Sequence, residues 1–290
     1  MIRTRYFQTD GTLQPDLDPG AFPTALSEAG SLLWVDFMGE APEVCEPILL
    51  KTFNFHPLAV DDALRESHVP KVDDWDDYLY IVLHDIGFQS ENSEIETFEL
   101  DVFLGLNYIV THHDLPIKSL DRVWETCERD ERNFKRGADH ILYRIIDELA
   151  ADFMQVIEAM DDEIDRVEDE VFKKPDTSMI QRIFTLKRAT LHLRRVMSPL
   201  REVFNKLARD DYAMIDQRDR VYFRDVYDHL VRLHDIAESM RDLVSGTLDT
   251  YLSVINNRMN DTMKTLTLIT TLFMPISFLA GFFGMNFFAP

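Results

Sequence analysis

Residues Thr265 to Phe288 read TLTLITTLFMPISFLAGFFGMNFF, and no charged side chain follows Lys264. As a helix rising 1.5 Å per residue this stretch is ~36 Å long, enough to cross the ~30 Å hydrocarbon core of a bilayer. A core helix of a soluble protein would normally carry some charge over that length, so the stretch is read as a membrane span. It closes on Gly284-Met285-Asn286, and the helix that feeds it is acidic. A polar tripeptide at the end of a bilayer-crossing helix, below an acidic funnel, points to cation passage.

The chain has 290 residues and a formal net charge of −22, all of it at or before Lys264. A strongly acidic body is therefore joined to a neutral apolar tail. This excludes nucleic acid as a partner, because phosphate binding needs clustered Lys and Arg. The acidic surface fits cations, and equally fits a surface that is merely soluble. Cys45 and Cys127 lie in no metal or redox pattern and read as reduced thiols. The N-terminal MIRTRYFQTD has no apolar signal core, so the body is expected to stay in the cytoplasm while the tail inserts. Arg258 and Lys264, just before the span, agree with that orientation.

Working back from the span, the expected fold is an α+β membrane protein: an N-terminal α/β cytoplasmic domain, a long helical stalk and a C-terminal transmembrane helix. Residues 1–136 carry strand signals at Ser31 to Phe37, at Tyr78 to Ile86 and at Phe98 to Thr111, the last read as two strands joined at Gly105 to Asn107. A helix is expected from Pro57 to Glu66. Residues 137–218 read as an antiparallel helical hairpin, with an acidic first arm (MDDEIDRVEDEVF) and a basic second arm from Arg182 to Arg209. The turn KKPDTS between them offers Thr177 or Ser178 as an N-cap. Residues 219–264 form the stalk helix, running unbroken into the span at 265–288. A helix of that length, ~90 Å, needs an apolar seam against partners, so a homo-oligomer is implied.

Along the stalk Asp228, Asp235, Asp242 and Asp249 recur every seven residues, and the register continues through Asn256, Met263, Thr270 and Ser277 to Gly284. A seven-residue repeat holds one face in a constant direction. Neighbours at i+3 and i+4 widen the face with Leu252, Asn260, Leu266 and Met274. The carboxylates either face a shared axis or simply face solvent. Inside the span, Thr270 and Ser277 either line a pore or pack between helices, since polar groups avoid lipid. Met263, Leu266 and Met274 are either packing residues or rings that gate by dewetting. Pro275 frees the carbonyl of Thr271 and is expected to bend the span. Two further acidic pairs stand out: Asp61-Asp62 in HPLAVDDAL, and Asp225 with Asp228, the first residue of the stripe, at i,i+3 spacing. Oxygen donors of this kind suit a hard ion such as Mg²⁺. His56, His84, His112 and His113 lack metal-protease spacing, and no P-loop, GxGxxG or nucleophile elbow is present, so no enzyme is expected.

With these residues in view, the chain resembles the CorA family of magnesium channels. The likeness is carried by YFRDVYDH, by LVSGTLDTYLSVINNRMNDTMKTLT and by FMPISFLAGFFGMNF, with support from HPLAVDD, VPKVDDWDDYLYIVL and LREVF. The resemblance implies a homopentameric funnel in the inner membrane, with the N-terminal domain cytoplasmic, the stalk helix lining the pore, and a second, outer membrane helix. It also implies roles residue by residue. Asn286 would ring the outer mouth, shaped by Gly284 and Met285. Asp249, Asn260 and Ser277 would be polar rings, Ser277 standing where relatives often carry Thr. Met263, Leu266 and Met274 would form the apolar constriction. Asp62 and Asp225 would share a regulatory Mg²⁺ between subunits, and Asp61, Asp147 and Asp228 would surround a second ion. The outer helix and its basic tail are not within residues 1–290, and a chain ending at Pro290 is not expected to conduct by itself.

The function expected is Mg²⁺ influx, with Co²⁺ or Ni²⁺ also admitted, closed by Mg²⁺ at the intersubunit acidic sites. The partners expected are divalent cations, membrane lipid and further copies of the chain. Two alternatives stand beside it: selectivity for another divalent ion such as Zn²⁺, and a non-conducting membrane-anchored metal-sensing scaffold.

Overall fold

The computed structural model describes residues 1–65, 69–89, 92–130, 132–173 and 176–284. Seven strands form one sheet: β1 (Ile2–Phe7), β2 (Leu13–Pro15), β3 (Leu32–Met38), β4 (Lys71–Asp74), β5 (Leu79–Gln89), β6 (Glu94–Leu104) and β7 (Tyr108–His113), in spatial order β2-β1-β3-β7-β6-β5-β4. All neighbours are antiparallel except β3 and β7, which pair in parallel with Leu33 opposite Tyr108. The turn from Gly105 to Asn107 joins β6 to β7 as its sequence predicts, closed by the Gly105 N–H donating to the Tyr108 carbonyl at 3.0 Å. Gly is needed there, because a Cβ at residue 105 would collide with the Tyr108 ring.

Strand alternation sends side chains to two cores. Leu33, Val35 and Phe37 of β3, with Tyr80, Val82, Phe103 and Val110, meet the short helices α1 (Phe22–Ser27), α2 (Pro42–Lys51) and α3 (Pro57–Leu64). Phe55, in the loop before α3, stacks on Phe103 at 4.2 Å between ring centroids. The opposite face, with Trp34, Ile81, Leu83, Val102 and Ile109, packs under α4 (Lys118–Arg129), α5 (Arg132–Lys135), α6 (Ala138–Lys173), α7 (Thr177–Arg209) and α8 (Arg220–Gly284). That second core continues without interruption from the sheet into the helices, so the change of character near Ala138 does not divide it.

One expectation about the hairpin needs correction. The N-cap of α7 is Asp176, not Thr177 or Ser178: its carboxylate accepts from the backbone N–H groups of Ser178 and Met179. A carboxylate serves better than a hydroxyl here because it also meets the positive end of the helix dipole. The basic arm pairs with the acidic arm, as their opposite charges allow, and with α8 as well. Arg182 binds Glu163 at 2.9 Å and Glu170 at 2.5 Å across the hairpin, but Arg194 reaches Glu238 of α8 at 2.7 Å. The reason is packing: α7 lies chiefly along α8.

Helix α8 runs unbroken for 65 residues, through Gly246 and Pro275. Its buried residues are Phe223, Val226, Leu230, Leu233, Ala237, Met240, Val244, Thr247 and Tyr251, alternating steps of three and four. The fully buried part of this seam against α6 and α7 ends at Tyr251, with Val254 and Ile255 packed half-buried on its end. Leu252 is already 46% exposed, and the most apolar stretch of the helix is entirely uncovered by its own chain.

Candidate functional site

The seam on α8 sets where everything else on that helix points. Asp228, Asp235, Asp242 and Asp249 sit two positions past the buried Val226, Leu233, Met240 and Thr247, and all four carboxylates are exposed. Exposed Ile236 and Leu243 lie beside them, so the uncovered face mixes apolar and acidic residues. Further along, Asn260 and Ser277 are exposed. Met263, Leu266 and Met274 are 59%, 62% and 72% exposed, a large apolar area for a single chain to leave open. Gly284 is the last residue of α8, with open space around it. Met285 and Asn286 lie outside the described residues.

Threonine hydroxyls crowd the entry to the span. Those of Thr262, Thr265, Thr267, Thr270 and Thr271 donate to the carbonyls four residues earlier, at 2.8 to 3.0 Å. The hydroxyl protons are thus used inside the helix, and only oxygen lone pairs face outward. Pro275 leaves the carbonyl of Thr271 without its helical donor, yet the helix continues through it.

The acidic residues of the two pairs, with Asp147, fall in two places. Asp61 and Asp62 are on α3, under one face of the sheet, whereas Asp147, Asp225 and Asp228 belong to α6 and α8 on the other. The Arg65 guanidinium lies 3.2 Å from Asp61. Asp62 accepts from Lys71 Nζ at 2.5 Å, and the same ammonium binds Asp73 at 2.9 Å and lies 5.1 Å from the centre of the Tyr80 ring. Burial opposes the charge on Lys71, but its bonds to Asp62 and Asp73 outweigh it and raise its pKa. Asp147 accepts from Arg144 at 3.3 Å. Burial pushes the Asp147 carboxyl up; Arg144 opposes this, and Glu148 and Asp225 add to it. Asp147 therefore feels the Asp225 carboxylate across the α6–α8 contact. One protomer brings neither Asp62 to Asp225 nor Asp61 to Asp147, and no three metal-ligating side chains converge among the described residues.

Sequence reasoning did not single out Lys71, the cation already seated on Asp62. The signal was present as a lone Lys within VPKVDDWDD, where period-2 alternation puts residues 71 and 73 on one side of β4. It also did not anticipate the buried histidines: His113 lies 3.3 Å from Asp36, His112 3.5 Å from Asp101, and His84 3.5 Å from Glu99. These pairs join neighbouring strands inside the sheet.

A model of the family described as CorA-like Mg2+ transporter protein matches residues 29–290. The cobalt/magnesium transport protein CorA of Thermotoga maritima is 39% identical over 236 residues, covering 81% of this chain and 67% of that protein. The protein of the same description from Methanocaldococcus jannaschii is 26% identical, covering 99% and 89%. Among solved structures, the complete CorA magnesium transporter of M. jannaschii superposes with a TM-score of 0.83 over 100% of this chain and 88% of that one, at 23% identity. Full-length CmaX superposes with a TM-score of 0.82, at 23% identity, over 98% and 86%. The fold is that of these full-length membrane proteins.

Proposed function

The chain belongs to the CorA-like Mg²⁺ transporter family, and we propose that it carries Mg²⁺ across the inner membrane as a homopentamer whose pore is lined by α8. The observation that carries this reading is the division of α8. One face is sealed by α6 and α7 as far as Tyr251, and the other presents Asp228, Asp235, Asp242 and Asp249 in a register leading to an uncovered apolar span. Several copies around an axis would enclose that polar face and bury Ile236 and Leu243 between neighbours.

In this reading Asp249, Asn260 and Ser277 are polar rings, and Met263, Leu266 and Met274 a dewetting constriction. Gly284, Met285 and Asn286 form the mouth. Mg²⁺ gives up its water reluctantly, so neutral amide carbonyls from Asn286 can select the hydrated ion through its shell. A ring of carboxylates there would hold it too tightly to release.

Regulation is assigned to the two acidic pairs and Asp147. Asp62 of one subunit and Asp225 of the next offer oxygen-only donors, the set a hard divalent ion prefers, with Asp61, Asp147 and Asp228 around a second ion. Support comes from the layering of the protomer, which separates Asp62 from Asp225 and leaves both to meet a neighbour. The N-terminal domain is placed in the cytoplasm, where it senses the ion that has entered. The test is uptake by proteoliposomes holding the full-length protein, with Mg²⁺, Co²⁺, Ni²⁺ and Zn²⁺ in competition, together with its mass in detergent. Uptake led by Mg²⁺ from a pentamer is expected. Preference for Zn²⁺ would favour the other divalent reading, and no conduction by an assembled protein would favour the scaffold.

A further inference from the structure

We infer that Lys71 is a tethered counter-ion that competes with Mg²⁺ for Asp62 and so sets the Mg²⁺ concentration at which the cytoplasmic site fills. The inference rests on the reading that Asp62 binds a regulatory ion. Its own basis is the geometry of the ammonium, which donates to Asp62 Oδ2 at 2.5 Å. At that distance it occupies the position a divalent ion, bare or hydrated, would need on the same oxygen. An ion arriving at Asp62 meets a carboxylate whose charge is already matched.

The competitor is built to step aside rather than to lock. Asp73, two residues along β4, holds the same nitrogen at 2.9 Å, and the Tyr80 ring lies 5.1 Å from it. When Asp62 turns to another cation, the Lys71 ammonium keeps a carboxylate and an aromatic face, so it is not left bare. The exchange takes place at the surface: the side chains of Lys71 and Asp62 are 30% and 45% exposed. Water can therefore cover either partner while the other is bound. Asp61 does not share this arrangement, because its partner Arg65 is 79% exposed and sits on the same helix. The two adjacent carboxylates of α3 are thus unequal. Among the described residues, Asp62 carries a built-in rival cation with a second seat, and Asp61 a loose surface pair.

Removing the rival should tighten the site. Lys71→Met keeps most of the length and apolar stem while deleting the charge, and Lys71→Arg keeps the charge. The measurement is the Mg²⁺ concentration giving half-maximal protection of the full-length, detergent-solubilised protein against proteolysis, read alongside Mg²⁺ titration calorimetry. Lys71→Met is expected to lower that concentration by about tenfold, as a difference of 1.4 kcal/mol would, and Lys71→Arg to stay near the parent. Asp62→Asn separates the two levels of the argument. If Asp62→Asn raises the midpoint while Lys71→Met leaves it unmoved or raises it, Asp62 binds the ion but Lys71 is no competitor, and the inference is overturned. If Asp62→Asn leaves the midpoint where it was, the regulatory reading of Asp62 fails and the inference falls with it. Lys71→Gln serves as a second neutral variant and should shift the midpoint in the same direction as Lys71→Met.

Discussion

The Tyr251 hydroxyl donates to the backbone carbonyl of Asp176 at 3.1 Å, tying α8 to the turn between α6 and α7. Tyr251 is the last fully buried side chain of α8, and Val254 and Ile255 still rest half-buried on the same core. From Ile255 to Thr265, where the uncharged span begins, the helix travels ~15 Å with every residue after Ile255 exposed. The stalk is thus a packed bundle as far as Ile255 and a single helix beyond it, dependent there on whatever surrounds it. Tyr251→Phe should loosen the turn by about 1 kcal/mol, the net value of one hydrogen bond. Faster hydrogen exchange at the Ser178 and Met179 amides, which Asp176 caps, would register it. Unchanged exchange at both would mean the contact does not hold the turn.

The two faces of α8 should answer differently to substitution. Leu233 is 1% exposed in the seam, and Leu233→Ala should cost roughly 2–5 kcal/mol of stability through the cavity it leaves. Asp235, two residues on, is exposed, and Asp235→Ala should stay within about 0.5 kcal/mol. Urea unfolding of the solubilised protein, monitored by circular dichroism, compares them. Equal losses would contradict the seam as assigned.

The sequence made α8 legible because its signals repeat. Four aspartates in heptad register and an uncharged run are hard to hide, and the apolar residues sealing the other face follow the same period. The strands β3 and β5 to β7 were readable from their branched and aromatic runs. What stayed hidden was pairwise and non-local. That Arg194 turns to Glu238, or that Lys71 sits on Asp62, depends on which helices and strands lie side by side, which periodicity does not encode. The Asp176 cap was a local miss: Asp precedes Thr177 and Ser178 in KKPDTS, and three adjacent residues competed for one position.

A buried carboxylate in the sheet predicts a pH effect on stability. Asp85 is 3% exposed and accepts from the Ser119 hydroxyl and the Ile86 amide, both at 2.8 Å. Burial, with the nearby Asp152 adding to it and Arg122 opposing, pushes its carboxyl up to about 6. Because the folded value lies above the unfolded one, the folded state holds this proton more tightly. The stabilisation is complete below the unfolded value near 4 and is lost as pH rises through about 6. The loss is on the order of 3 kcal/mol at 1.4 kcal/mol per pH unit. Asp85→Asn should flatten this part of the stability profile between about pH 4 and pH 6.5. A profile parallel to the parent's would assign the proton elsewhere.

At the mouth, Asn286→Ala should abolish Mg²⁺ uptake while the protein still assembles. The substitution removes the carbonyl acceptors proposed to hold the ion's water shell and leaves every residue of the α8 seam unchanged. Uptake by proteoliposomes and the mass in detergent are the paired readouts. Normal uptake would take Asn286 out of the selectivity argument.

Gating follows from the proposed pairing of Asp62 with Asp225 across subunits. Two carboxylates about 5 Å apart repel by roughly 3 kcal/mol at an effective dielectric of 20, before screening by salt. With an ion shared between them the same contact becomes a bridge. Repeated around a ring, a modest preference at each interface accumulates into a strong bias toward the closed arrangement, since a ligand shifts an equilibrium by its differential affinity for the two states. Asp225 is the partner to remove, because Asp147 still feels a carboxylate there and burial has already raised its own pKa. Asp225→Asn takes away one ionic ligand and also relieves Asp147, whose carboxyl should titrate nearer its ordinary range. The variant should therefore need more Mg²⁺ than the parent for protection of the cytoplasmic domain against proteolysis. It should also keep conducting at Mg²⁺ concentrations that close the parent, with Met263, Leu266 and Met274 no longer drawn together. Equal protection of variant and parent, with equal closure, would make Asp225 a surface residue and place the switch on another contact.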